Sequence, residues 1–431
     1  MKYSVITFGC RVNQADSLSL EDGFRRRGAI AVAAEEADLV VVNTCSVTAS
    51  ADQAARQTIR RLARVNPTAE IVVTGCYATR RSEEIRALPH VLRVVTNEEK
   101  GQLISLVEAT TAHRFGDGDG ACGAALEPGV AGRTAFTLRV QTGCAEKCSY
   151  CIIPTTRGLP RSLSVDNALS EVDRATEAGF REIALTGVHL GSYGRDLTPS
   201  SSLVELMRRL AERWARPSGR SNSEVLFRVS SLEPMDCTPD IVRLVASAGS
   251  FAPHFHLPLQ HASNRMLMAM ERPYTIEYYR NLVETIRATL PEASIGADVI
   301  VGFPGETDEE FAQLASYLES SSLTHLHVFP YSDRPGTAAA SRRDKVHGAT
   351  VRDRAHIVRR IGQRLTSDFR ESQIGTAHRG LTIDDGSVVV TGNYLKVRIP
   401  PGRSRNEWVD VRITAASEGT MIGELDNLVI G

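Results

Sequence analysis

Several absences narrow the field before any motif is read. The 431 residues contain no apolar run of about eighteen, the length a helix needs to cross a bilayer, so no membrane association is expected. The amino-terminal stretch MKYSVITFGCRVNQ has one lysine and an apolar run too short for a secretory signal. A cytoplasmic location is the expectation, and there cysteines rarely form structural disulfides. Net charge is nearly absent too: the formal value of −1 excludes a wholesale electrostatic grip on nucleic acid and leaves only local basic surfaces to consider. No internal repeat is visible.

What is present is a succession of patterns. SVITF (4–8), DLVVVN (38–43), EIVVTG (70–75) and VLRVVT (91–96) read as buried strands, with helical stretches at 15–28, 50–65 and 98–109. This alternation predicts an open parallel α/β sheet over 1–115. GDGDGACGAALEPGVAGR (116–133) has no apolar period and reads as a linker. Its DGDG lacks the glutamate spacing of a calcium loop. Over 134–370 six strand candidates, 136–141, 182–187, 225–231, 254–260, 295–303 and 324–331, are separated by helical stretches such as 165–178, 202–214, 275–289 and 308–320. Six βα units in series predict a partial (β/α)6 barrel. From 371 to 431, short strands joined by turns predict a small antiparallel β-barrel.

The cysteines carry the chemistry. GCAEKCSYCIIP places Cys144, Cys148 and Cys151 in the spacing C-x3-C-x2-C, just past the first barrel strand, with no fourth Cys or His close by. A zinc site normally takes four ligands in paired units. An iron–sulfur cubane also normally takes four. Three ligands leave one iron open, which is useful when something else binds it. A second triplet is dispersed: Cys10, Cys45 and Cys76 each follow the carboxyl end of an amino-terminal strand. In an open parallel sheet those ends share one edge, so the three are predicted to converge. The alternative for each is a buried apolar thiol. Cys122 and Cys237 read as incidental.

CAEKCSYC resembles the CxxxCxxC motif of the radical S-adenosylmethionine (SAM) enzymes. TFGCRVNQADS, NTCSVTASADQAARQTIRRL and VVTGCYA resemble the amino-terminal domain of the methylthiotransferases within that superfamily. GFREIALTGVHLGSYG, RVSSLEP, HLPLQHASNRMLMAMERPYT, ADVIVGFPGET and HLHVFPYSDRPGT extend the likeness through the barrel, and the carboxyl-terminal segment is similar to a TRAM domain. GCRVNQ, NTCSVT and LTGVHLGSYG look most like the MtaB branch, which acts on N6-threonylcarbamoyladenosine at position 37 of tRNA. HLPLQHAS is shared with the RimO branch, which modifies a ribosomal-protein aspartate, and a third branch, MiaB, acts on isopentenyladenosine.

The resemblance implies two [4Fe-4S] clusters, one on Cys10, Cys45 and Cys76 and one on Cys144, Cys148 and Cys151. SAM takes the open iron of the second and is cleaved to a 5′-deoxyadenosyl radical. A radical suits C2 of adenosine, whose C–H bond no tuned base removes readily. One SAM methylates a sulfur species at the first cluster and a second activates C2. An electron donor of flavodoxin or ferredoxin type and a sulfur source are implied partners. Tyr150, Gly187, Ser231, Glu233, Gln260 and Gly302, at the expected barrel mouth, are candidates for holding SAM, against the alternative of ordinary turn chemistry. His254 with His256, and His325 with His327, alternate on strands and so face one side; they read as hydrogen-bonded barrel histidines, with a mononuclear metal site as the alternative.

RNA needs phosphate neutralisation and stacking. Residues 342–370 hold nine basic against three acidic residues, including Arg359 and Arg360. Arg56 and Arg60 lie on the helical stretch 50–65, Arg157 and Arg161 just beyond the cysteine loop, and Tyr394, Lys396, Arg398 and Trp408 on the small barrel, as candidates for stacking and phosphate contacts. Solvated helix faces are the plainer reading of the basic stretches. The functional expectation is a methylthiotransferase on tRNA. The same chemistry on a ribosomal protein, and a structural or redox-sensing iron–sulfur RNA-binding protein, are the alternatives.

Overall fold

The computed structural model describes residues 1–109, 127–129, 134–214, 224–417 and 419–426; most of the expected linker, with Cys122, lies outside them. In the first domain five parallel strands run in the order Ile30–Ala31, Lys2–Thr7, Leu39–Thr44, Glu70–Gly75, Val91–Val95. The central strand LVVVNT is buried throughout because helices cover both faces. Val40 and Val42 pack on Ile59 and Leu62, while Leu39 and Val41 pack with Phe24 and Leu103. The helix Ala49–Val65 starts where Thr48 Oγ1 accepts from the Ala51 amide at 3.2 Å.

One boundary differs from expectation in an informative way. The first helix spans Arg11–Arg25, beginning directly after Cys10 rather than at residue 15. Its opening residues break the apolar period because they bury polar groups instead. Asn13 Nδ2 donates to the Phe8 and Thr44 carbonyls at 2.8 and 2.9 Å. The stretch expected as one helix at 98–109 is a 3-10 turn, Lys100–Gln102, followed by Leu103–Glu108.

Six parallel strands follow: Phe136–Arg139, Glu182–Thr186, Leu226–Val229, His254–His256, Ser294–Val301 and His325–Pro330. They form two three-stranded sheets joined by the parallel bridges Phe227–Phe251 and Ser231–His256. The fourth strand is shorter than expected: it ends at His256, and Gln260, at φ +64°, makes only an isolated parallel bridge to Val299. The first and sixth strands do not pair, so the barrel is open along one side. The amino-terminal domain stands at that opening. Its helix Arg11–Arg25 lies against Phe136–Arg139. Arg334, past the sixth strand, donates to the Val47 carbonyl at 3.2 Å.

A long helix, Gly348–Ser372, crosses to a closed barrel of Ala377–Ile383, Val388–Thr391, Lys396–Arg398, Thr420–Leu425 and Trp408–Ser417. The barrel is antiparallel except that Lys396–Arg398 and Thr420–Leu425 run parallel, a correction to the expected all-antiparallel arrangement. The reason is parity: an odd number of strands cannot close with every neighbour reversed. No helix among the described residues is long and apolar enough to cross a membrane.

Candidate active site

Each amino-terminal cysteine sits where a strand of the first sheet ends, and the three converge as the topology requires. Cys45 and Cys76 are buried and Cys10 is exposed. Gly9 has φ +89°, and a Cβ there would fall 2.5 Å from Cys45 Sγ, so glycine is what lets the first and third strand ends close on each other. Burial, and then the neighbouring thiols of Cys10 and Cys76, push the Cys45 thiol up to about 12. Cys144, Cys148 and Cys151 converge likewise. Burial and the two companion thiols push Cys151 up to about 12.

Groups this reluctant to ionise alone become thiolates against a cation, and the surroundings are built to receive that charge. The amide two residues on points at the sulfur in three cases: Val47 to Cys45 at 3.4 Å, Glu146 to Cys144 at 3.4 Å and Ile153 to Cys151 at 3.5 Å. Asn97 Nδ2 lies 3.6 Å from Cys76 Sγ, and Arg272 Nη1 donates to Cys148 Sγ at 2.8 Å. Hydrogen bonds to cysteine sulfurs are the usual outer support of an iron–sulfur cluster. Both triplets therefore fit one.

Beside the Cys10 and Cys76 sulfurs lies a charge hub that hydrophobic periodicity did not announce. Asp16 is fully buried and takes Lys100 Nζ at 2.8 Å and Arg157 Nη2 at 3.1 Å, together with Arg139. Burial opposes its ionisation, but Lys100, Arg139 and Arg157 hold its carboxyl well below the usual range. Arg157 also donates to Asn13 Oδ1 at 2.6 Å and stands beside the Cys76 and Cys10 sulfurs. This corrects the expectation that Arg157 faces RNA: its side chain is 3% exposed and joins the barrel to the first domain beneath the cysteines. Arg56 is half-buried and engaged by Tyr77 Oη at 2.7 Å and Glu84 at 3.1 Å.

At the barrel mouth Glu233 pairs with Arg272, which also contacts Cys148. Tyr150 is half-buried, its ring 6.5 Å from that of Phe303. Ser231 is exposed beside His256. Gln260 is buried, and its amide donates to the Asp298 carbonyl at 2.8 Å. Gly187 and Gly302 each have a packing reason for glycine. A Cβ would come within 2.8 Å of Leu190 at the first and 2.4 Å of Val351 at the second. Sequence reasoning missed Arg272 and His189. His189 Nε2 lies 2.8 Å from Asp236 Oδ2. Burial lowers its pKa, but the Asp236 carboxylate and the Cys144 thiol outweigh that and lift it to about 10. The signal for Arg272 was an isolated cation in the apolar run MLMAMERPY.

Two of the four barrel histidines share one hydrogen-bonding carboxylate, whereas Nδ1 of buried His254 has no partner among the described residues. Asp298 Oδ1 lies 2.9 Å from His256 Nε2 and 3.1 Å from His327 Nδ1, so one carboxylate satisfies both rings. Outside the barrel, Arg60, Arg161, Arg359, Arg360, Lys396 and Arg398 are all exposed, and none has an ion pair among the described residues. Lys396 and Arg398 flank buried Val397 and so share the outer face of the small barrel.

Comparison with known proteins agrees with this geometry. Residues 2–97 match the model of Uncharacterized protein family UPF0004, and residues 138–318 match the Radical SAM superfamily. Threonylcarbamoyladenosine tRNA methylthiotransferase MtaB of Aquifex aeolicus is 34% identical, over 92% of this chain and 96% of its own. The protein of that name from Bacillus subtilis is 32% identical over 91% and 88%. The tRNA-2-methylthio-N(6)-dimethylallyladenosine synthase of Carboxydothermus hydrogenoformans is 30% identical over 93% and 97%. The radical SAM methyltransferase TsrM of Kitasatospora setae shares the fold, with a TM-score of 0.55 at 17% identity, over 79% of this chain and 73% of that one. With a radical SAM core, a UPF0004 domain and relatives matched almost from end to end, this chain belongs to the radical SAM tRNA methylthiotransferases, enzymes whose cofactors are SAM and [4Fe-4S] clusters.

Proposed function

We propose that the enzyme attaches a methylthio group to C2 of N6-threonylcarbamoyladenosine at position 37 of tRNA. The observation that carries this reading is the pairing of two supported thiol triplets at one barrel opening, in a chain whose relatives include MtaB enzymes at 34% and 32% identity. Cys144, Cys148 and Cys151 are the proposed ligands of the SAM-binding cluster, and Cys10, Cys45 and Cys76 those of the auxiliary one. When bound, the first cluster and SAM supply the radical chemistry that an unactivated C–H bond demands, and the second holds the sulfur to be transferred.

The protein's own groups then have definite work. Arg272 screens the Cys148 sulfur and fixes Glu233 at the mouth, where a carboxylate suits the cationic end of SAM. Tyr150, Ser231 and Gln260 complete the proposed SAM wall. The Asp16 hub holds the two triplets in register, since Arg157 comes from the cysteine-loop side and Asp16 and Lys100 from the first domain. Arg60, Arg161, Arg359 and Arg360, with Lys396 and Arg398, are the free cations offered to tRNA phosphates. A flavodoxin- or ferredoxin-like donor, a sulfur source and a cytoplasmic setting complete the proposal.

The test is nucleoside mass spectrometry of tRNA from cells with and without the gene. Loss of the methylthio form with accumulation of threonylcarbamoyladenosine supports the reading. Loss of the methylthiolated dimethylallyl nucleoside instead moves the enzyme to the other tRNA substrate, and unchanged tRNA directs the search to ribosomal proteins.

A further inference from the structure

The interior of the radical SAM barrel is walled by histidine. His254 and His256 face inward from the fourth strand and His325 and His327 from the sixth, with ring centroids 5.1 to 6.2 Å apart. The floor is not made by this domain. The turn between Val388–Thr391 and Lys396–Arg398 of the small barrel enters from below, where Arg228 Nη1 donates to the Gly392 carbonyl at 2.8 Å and Asn393 Nδ2 to the Glu292 carbonyl at 3.0 Å. Its tip is Tyr394, 44% exposed and held at φ +67°. A bulky side chain in the left-handed region is strained, and such strain persists where the surroundings impose it for a purpose. Its ring centroid stands 4.7 Å from the Arg228 guanidinium and 5.1 Å from the His254 ring.

Arg11 reaches into this interior from the side. It is the residue after Cys10, its Nη2 donates to Tyr394 Oη at 3.1 Å, and its charge is felt at His254 and His327. The neighbouring cations are already matched: Arg228 by Glu182 at 2.8 Å, Arg139 and Arg157 by Asp16, Arg272 by Glu233. Arg11 has no carboxylate partner among the described residues. Burial, and then Arg228, keep His254 neutral, while burial and its neighbours His256 and His327 hold His325 down to about 4, so these two rings add no positive charge. The interior thus has aromatic and imidazole walls suited to a flat base, and one unmatched guanidinium beside the auxiliary cysteines.

We propose that Arg11, steadied by Tyr394, binds the carboxylate of the N6-threonylcarbamoyl group and so selects a base whose N6 substituent carries a negative charge. This rests on the substrate reading given above and assigns its specificity to a residue. A guanidinium presents a planar fork of donors to a carboxylate, and its hydrogen bonds are strong because both partners are charged. A neutral hydrocarbon substituent leaves that fork desolvated and unpaired, which is how one site rejects the other substituent.

The test uses reconstituted full-length enzyme and two anticodon stem-loop RNAs, one bearing threonylcarbamoyladenosine as the free acid and one as its methyl ester, with wild type and Arg11→Gln. Wild type is expected to lose about 10- to 100-fold in kcat/KM on going from acid to ester, the range of a charge-assisted hydrogen bond. Arg11→Gln is expected to turn over the acid as poorly as wild type turns over the ester, and to distinguish the two RNAs by less than about threefold. The acid-to-ester ratio within one preparation does not depend on how much of it is loaded with iron, so a variant with incomplete clusters still reports. Equal use of acid and ester by wild type, or full discrimination retained in Arg11→Gln, overturns the assignment while leaving the substrate proposal standing. A wild type that modifies dimethylallyl RNA and not the threonylcarbamoyl acid overturns the substrate proposal itself.

Discussion

Replacing Asp16 by asparagine tests whether the contact between the first domain and the barrel is electrostatic at its centre. Asp16 is wholly buried, Arg157 is 3% and Lys100 8% exposed, and Arg139 is 39% exposed. Removing one partner of a buried ion pair costs about 3–5 kcal/mol, because a buried charge is left unmatched. The solvated Arg139 contributes little to that sum. Lys100, whose pKa burial already pulls down, relieves part of the cost by losing its proton. Arg157 cannot, although Asn13 Oδ1 still accepts from it at 2.6 Å. The lower end of the range, about 3 kcal/mol, is therefore expected. At a slope of about 2–3 kcal/mol per molar urea, the midpoint followed by circular dichroism falls by about 1–1.5 M. The pH dependence has a definite sign. Asp16 has a depressed folded-state pKa, so its contribution is complete above the ordinary value of 3.8 and fades as pH falls below it. The gap between wild type and variant is thus full at neutral pH and narrows under acid. A midpoint shift below about 0.3 M at neutral pH would refute the account of Asp16 as the hub.

Three further outcomes are expected. Cys148→Ala abolishes SAM cleavage and Cys45→Ala abolishes methylthio transfer while SAM cleavage persists, each variant keeping about half the wild-type iron by colorimetric assay; loss of all iron in either would count against separate sites. Gly302→Ala, at φ +74° with Val351 2.4 Å from the new Cβ, lowers the unfolding free energy by about 1–3 kcal/mol, read by urea titration. Lys396→Ala with Arg398→Ala flattens the dependence of log affinity for tRNA on log salt by about one to two units in filter binding; an unchanged slope removes the small barrel's outer face from the RNA contact.

The three-domain architecture was legible because strands and helices announce themselves by period, and the cysteines because Cys144, Cys148 and Cys151 crowd one loop while Cys10, Cys45 and Cys76 each follow a strand end. What stayed hidden was polar burial. The apolar period starts the first helix at residue 15 instead of Arg11, since Asn13 interrupts its stripe, and Asn13 with the buried Asp16 is what joins the domains. Arg157 looked like a surface cation next to the cysteine loop, and nothing local in sequence tells a buried arginine from an exposed one when its partner lies more than a hundred residues away. Strand ends likewise nominated Gly187 and Gly302 by position, whereas their neighbours Leu190 and Val351 supply a steric reason for glycine that only the third dimension reveals.

The turn that carries Tyr394 gives the small carboxyl-terminal barrel a second duty. A domain that grips a large substrate from outside is ordinarily separable: remove it and the catalytic core works on, only less avidly. Here the same turn closes the bottom of the reaction vessel, tied to the strand ends through Gly392 and Asn393. A chain ending at residue 372 would be a vessel open at its base, admitting water to a space meant for short-lived radicals. Truncation is then expected to raise wasteful SAM consumption as well as weaken substrate capture, and engineering of this enzyme has to keep the appendage with the core.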